Sequence, residues 1–221
     1  SYCYCPVATN NMSMVHCISD DWLSLSNLSL LLQQKNTLQL SDTTTATVQH
    51  TYNYLHQQIN KGDALYYGIN TGFGSLCDIQ IDSQKLAELQ ANLVRSHACG
   101  LGDLVPTEIV RLILLLKIQS LSLGHSGVSL PLLQQLIAWY NADVLPVLYQ
   151  QGSLGASGDL APLAHLSLPL IGEGEVYHKG VRLDSRLVLE QLGWSVLTLQ
   201  AKEGLALLNG TQFSTGYAAW S

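Results

Sequence analysis

The chain has 221 residues, of which 12% are charged and 47% hydrophobic, with a formal net charge of -6 and a pI near 5.5. Ordinary soluble domains carry about 25% charge, so this chain has too little to coat a lone globule, and its helices are expected to bury faces against other subunits or further sequence. The acidic balance without a Lys/Arg cluster excludes a nucleic-acid footprint, and the longest apolar runs, Ile109–Ile118 and Leu160–Ile171, are too short or interrupted to span a bilayer.

Ser1–Ser13 has no periodicity and reads as a disordered leader ahead of Met14. No basic-then-apolar stretch opens the chain, so no secretory signal is expected. Cys3, Cys5, Cys17, Cys77 and Cys99 are odd in number and form no Cys-x-x-Cys pair, which fits a reducing cytoplasm and no metal site. A short helix is predicted at Leu25–Gln34. Another is predicted over Thr43–Asn60, where Val48, Tyr52, Leu55 and Ile59 share one face. Tyr66-Tyr67-Gly68-Ile69-Asn70-Thr71-Gly72-Phe73-Gly74 is a glycine-rich loop whose glycine order reverses that of the dinucleotide fingerprint.

Gln84–Cys99 reads as a helix with Leu86, Leu89, Leu93, Val94 and His97 on its apolar face, which turns His97 inward. A lone histidine there is usually a hydrogen-bonded core residue. Pro106-Thr107 opens a long helix with Thr107 as cap and Gly124 as stop, and only Arg111 and Lys117 interrupt its apolar cylinder. Ser129-Leu130-Pro131 opens the next helix, which runs to about Ala142 and is ended by Val144-Leu145-Pro146. Alternating Val176, His178, Val181 and Leu183 predict a β-hairpin over Glu173–Leu183, with His178 and Lys179 exposed at its turn. Asp184–Leu192 is a short helix. Leu205–Ala219 is predicted helical despite Gly210 and Gly216, whose small size would admit a close neighbour. Asn209 inside that apolar helix is costly unless bonded, which marks it as functional.

Gly152-Ser153-Leu154-Gly155-Ala156-Ser157-Gly158-Asp159 runs into Leu160-Ala161-Pro162-Leu163-Ala164-His165, with Asp159 and Pro162 suited to a first helical turn. Neither the Walker spacing nor the nucleophile elbow fits, because no Lys-Ser/Thr pair follows and Asp159 stands where the elbow needs glycine. A tightly bent Ala156-Ser157-Gly158 has another chemistry open to it. The Gly158 amide nitrogen attacks the Ala156 carbonyl carbon, and that oxygen leaves as water to close a five-membered ring. Loss of the Ser157 hydroxyl as a second water leaves an exocyclic methylene. Gly158 lacks the Cβ that would block the approach. The bland reading is a Gly/Ser turn capping a helix.

The loop and its flank resemble, nearly residue for residue, the prosthetic-group segment of the histidine ammonia-lyase family within the aromatic amino acid ammonia-lyases. Tyr66–Gly74, Asn92–Gly100 and Ala201–Gln212 resemble the same family, and the likeness runs from about Val15 to Trp220. It implies a 4-methylidene-imidazole-5-one group made autocatalytically from Ala156, Ser157 and Gly158, with no metal or nucleotide. That electrophile captures the substrate amine, Tyr67 removes the β-proton, and L-histidine yields trans-urocanate and ammonia. Free tyrosine titrates near 10, so Tyr67 would need the positive potential of converging helix N-termini. Ser96 and His97 stand at the substrate-selectivity position, where Ser-His favours histidine over phenylalanine or tyrosine. Asn209 contacts the prosthetic group and substrate; Asp159 assists ring closure or fixes the loop, or is a plain helix cap.

The expected fold is mainly α: a helical N-terminal domain with minor β, then the start of a long-helix bundle, with one small β-hairpin. The division is 1–13 leader, 14–105 N-terminal domain, and 106–221 first part of the central helical domain. The resemblance covers less than half of a family member, so the chain is expected to be a fragment, inactive alone. It would lack the site arginine and most bundle helices of a cytoplasmic homotetramer whose sites use three subunits. A same-fold lyase or aminomutase for another aromatic amino acid, and a truncated inactive homologue, are the alternatives.

Overall fold

Helices joined by small two- and three-stranded sheets make up the computed structural model, which describes residues 14–21, 23–34, 36–61, 69, 83–152 and 159–221. The leader Ser1–Ser13, Tyr67 and Ala156-Ser157-Gly158 lie outside the described residues. Strand β1 (Val15–Ile18) pairs in parallel with β2 (Thr37–Leu40), α1 (Leu25–Gln34) making the crossover. Helix α2 (Asp42–Asn60) starts at Ser41, whose Oγ accepts the Thr44 N–H at 3.1 Å. Helix α3 (Ser83–His97) leads to β3 (Leu101–Leu104) and α4 (Thr107–Ser122). Pro106, not Thr107, holds the cap position of α4; it lacks an N–H that would otherwise need a partner.

Helix α5 (Leu130–Asn141) is followed by β4 (Val144–Pro146) and β5 (Tyr149–Gln151), the latter antiparallel to β3. Helix α6 (Leu160–Ser167) runs into a 3-10 turn, Leu168–Ile171, stopped by Gly172 in the left-handed region at φ 74°. The predicted hairpin is present as β6 (Glu175–His178) and β7 (Val181–Asp184), and β4 adds a third strand beside β6. His178 is therefore a half-buried strand residue opposite Val144 and Val181, while Lys179 sits in the turn. Helix α7 (Ser185–Leu192) follows, capped by Asp184 through the Arg186 N–H.

The chain ends in two helices, α8 (Glu203–Leu208) and α9 (Gln212–Trp220), where the apolar pattern predicts one over Leu205–Ala219. The break falls at Asn209, which is extended, and Gly210, at φ 148°.

The core forms around α4, where Val110, Ile113, Leu114, Leu115 and Ile118 are fully buried. Helices α5 and α9 pack on it, with Leu132, Leu133, Leu136 and Trp139 filling the α5 face. Each such side chain contributes on the order of 1.5–3 kcal/mol by leaving water. Arg111 is accommodated at the edge: its guanidinium lies 4.0 Å from the Tyr140 ring centroid and bonds Asp143 at 2.8 Å.

Candidate active site

Asp159, the residue after the Ala156-Ser157-Gly158 tripeptide, is 2% exposed. A carboxylate buried that far needs donors on its oxygens. Ser214 provides them from the first turn of α9, its N–H to Oδ2 at 2.9 Å and its hydroxyl to Oδ1 at 2.6 Å. Asp159 occupies the cap position of α6 but makes no side-chain cap bond there. Its side chain instead ties the start of α6 to the start of α9.

The other end of the loop is also held. Gly152 is at φ 121°, and a Cβ built on it would stand 2.9 Å from Gly100 Cα and 3.0 Å from the Cys99 carbonyl oxygen. Glycine is required there by both conformation and space. Gly100 in turn donates its N–H to His165 Nε2 on α6 at 2.9 Å. That bond makes Nε2 the unprotonated nitrogen, and burial lowers the His165 pKa. Tyr149 meets the imidazole edge-on at 5.0 Å.

His97 and Ser96 lie three and four residues before Gly100, in the last turn of α3. His97 is half-buried, with Nδ1 2.9 Å from the Leu93 carbonyl, which leaves Nε2 for another partner. Ser96 is exposed and bonds the Leu93 carbonyl at 3.1 Å.

Asn209 is exposed, not enclosed in an apolar helix, and among the described residues no hydrogen bond reaches its side chain. Its backbone carbonyl and that of Ala206 each accept a bond from Lys117 Nζ at 3.0 Å. Lys117 is 1% exposed; burial pulls its pKa down to about 7, opposed by the Asp159 charge. The Asn209 backbone carbonyl and the Asp159 charge thus both act on one buried lysine, with Ser214 on the Asp159 carboxylate, while among the described residues no hydrogen bond joins His97 to this group.

The sequence reading assigned no function to Lys117, His165, Ser214 or Glu203. Glu203, 2% exposed, accepts Ser129 N–H and Oγ–H at 2.9 and 2.7 Å and the Gln200 N–H at 2.6 Å, fixing the approach to α8. A charge inside an apolar helix was the available signal for Lys117. Nothing local marked Ser214, whose partner lies 55 residues away. Among the described residues, no group of three or more His, Cys, Asp or Glu side chains could hold a metal ion, and no helix is long and apolar enough to cross a membrane.

A family profile described as "Aromatic amino acid lyase" matches residues 23–221. A histidine ammonia-lyase of Deinococcus radiodurans is 57% identical over 156 residues, 71% of this chain and 30% of that protein. The solved histidine ammonia-lyase of Trypanosoma cruzi aligns with a TM-score of 0.84 at 36% identity, covering 94% of this chain and 40% of the other. Tyrosine aminomutase from Streptomyces globisporus gives 0.83 at 33%, covering 92% and 38%. This chain therefore spans well under half the length of the proteins it matches.

Proposed function

The chain belongs to the aromatic amino acid lyase family, and from that membership we propose that it carries the electrophile-forming loop and part of the substrate site of a histidine ammonia-lyase. The proposed reaction removes ammonia from L-histidine to give trans-urocanate. It is a reaction of the whole protein, of which this chain covers a minor share. The observation that carries the reading is the anchoring of both ends of the Ala156-Ser157-Gly158 loop, by Gly152 against Gly100 and by Asp159 against Ser214. A short glycine-rich segment clamped at both ends suits the compression that ring closure needs, so the surrounding residues fit the 4-methylidene-imidazole-5-one group. Once formed from Ala156, Ser157 and Gly158, that group would supply an electrophile for the substrate amine.

The remaining roles fall to ordinary side chains. Tyr67 is the proposed base for the β-proton. His97, held at Nδ1 by the Leu93 carbonyl, presents Nε2 to the substrate imidazole, with Ser96 beside it. Asn209 offers an exposed amide that can both donate and accept. Asp159 fixes the loop's exit. Leu25, Leu101 and Trp220 are 71%, 69% and 52% exposed, which suits the proposed burial of such faces in a homotetramer. A cytoplasmic setting completes the proposal.

Intact mass of the purified chain tests the loop directly. A deficit of two waters in part of the sample is expected, cyclisation being incomplete without the rest of the bundle. A full mass throughout would remove the electrophile and with it this reading. The aminomutase likeness keeps an aromatic alternative in play, which a substrate panel on the whole protein decides. His97→Phe there should raise the histidine KM at least about tenfold, the scale of a lost specific hydrogen bond. An unchanged KM would sink the assignment of His97.

A further inference from the structure

Lys117 has no part in the roles above, yet it is the most completely enclosed cation among the described residues. It rises from the middle of α4, with Leu114, Leu115 and Ile118 fully buried around it. A lysine in such a place needs partners for its N–H groups, and it finds them in Ala206 and Asn209, whose carbonyls lie in or just past the last turn of α8. Carbonyls at a helix end have no donor within the helix, and buried ones must find a donor elsewhere. The last helical bond of α8 runs from the Asn209 N–H to the Leu205 carbonyl at 2.9 Å. Beyond it the chain turns at Asn209 and Gly210, restarts as α9 at Gln212, and places Ser214 on Asp159. An apolar side chain at 117 would leave those two carbonyls without a donor and loosen the turn between α8 and α9, together with the Ser214 bonds to Asp159 that the turn positions.

We propose that Lys117 is a positioning residue: by tying off α8 at Ala206 and Asn209, it sets the turn that presents the Asn209 amide and seats Ser214 on Asp159, beside Ala156-Ser157-Gly158. The ammonia-lyase reading enters only in the use made of Asn209 and Asp159; the turn itself stands on the geometry. The charge state of Lys117 does not alter the assignment, because ammonium and amine alike supply the two N–H groups required.

Hydrogen exchange read by mass spectrometry on the 221-residue chain tests it, comparing wild type, Lys117→Met and Lys117→Arg. Protection at residues 209–215 should fall about tenfold or more in Lys117→Met, the scale of one lost hydrogen bond to a charged group. Protection at 109–115 in α4 should hold, and Lys117→Arg should restore much of the loss. Unchanged protection at 209–215, or loss spread evenly over the core, overturns the proposal. Should Lys117→Met fail to fold, Lys117→Gln makes the same comparison, with one amide donor group in place of the amine; a selective loss supports the proposal and an unchanged profile overturns it.

Intact mass of the same samples reads the consequence at the loop. The two-water deficit should shrink in Lys117→Met and recover in Lys117→Arg, a rescue that a mere filler of space would not show. A deficit equal to wild type in Lys117→Met overturns the link to the loop. A wild-type mass with no deficit instead counts against the ammonia-lyase reading, and the exchange profile then decides the role of Lys117 by itself.

Discussion

His165 accepts the Gly100 N–H only while Nε2 is unprotonated. Burial lowers its pKa in the folded chain, so below the usual imidazole value of about 6.5 the unfolded chain binds a proton that the folded chain does not. The stabilisation is therefore present above that pH and is lost as pH falls through the lowered folded value. His16 and His56 are lowered by burial as well, so the test is a difference. Between pH 7 and 5 the urea midpoint of wild type should drop further than that of His165→Gln, whose amide oxygen accepts the same N–H at either pH. Parallel slopes would clear His165 of any part. Ser214→Ala removes one of two bonds to a buried carboxylate, and a loss of about 1–2 kcal/mol is expected in urea unfolding. A change within error would show that the Ser214 N–H suffices.

Close approach between helices depends on two glycines. In α9, a Cβ on Gly216 would meet Ile113 Cγ1 of α4 at 2.8 Å, so a small residue lets these two helices touch as the sequence suggested. Alanine would gain about 1 kcal/mol in helix propensity, but the clash with a core isoleucine costs about 1–3 kcal/mol. Gly216→Ala should therefore lower Tm; an increase would mean that Ile113 moves aside freely. In α8, Gly204 is more constrained, because its Cβ would lie 2.9 Å from the Gln90 backbone oxygen, and its N–H donates to Gln90 Oε1 at 2.8 Å. Backbone cannot rotate away, so Gly204→Ala should destabilise more than Gly216→Ala in the same thermal melts. The reverse order would place the tighter contact at α9.

A single apolar cluster runs from Ile18 through α4 and α5 to Leu208, crossing the sequence boundary at 105/106. We propose 14–105 and 106–221 as two stretches of one folding unit, sharing that cluster. Leu114→Ala, at a fully buried site on α4, should lower stability by about 2–5 kcal/mol. The urea transition should stay single and keep its slope, whether followed at residues before or after 105. Two separated transitions would make the stretches independent domains.

The sequence by itself determined the helical class, the limits of α1 at Leu25–Gln34, the hairpin around Lys179-Gly180, and the family, because these rest on periodicity, turn chemistry and long motifs carried by neighbouring residues. It also marked Asp159, His97, Ser96 and Asn209. Their surroundings were not legible in it. Asp159 looked like a cap for α6, yet its carboxylate turned to Ser214, since one N–H and one O–H donor arrive there from a helix 55 residues on. Asn209 looked buried in a continuous helix, yet Lys117, 92 residues away, takes its carbonyl and ends α8 beneath it. A helix end is a local pattern until distant side chains compete for its unpaired carbonyls, and only the packing of α4 on α9 brings Lys117 within reach of the α8 end.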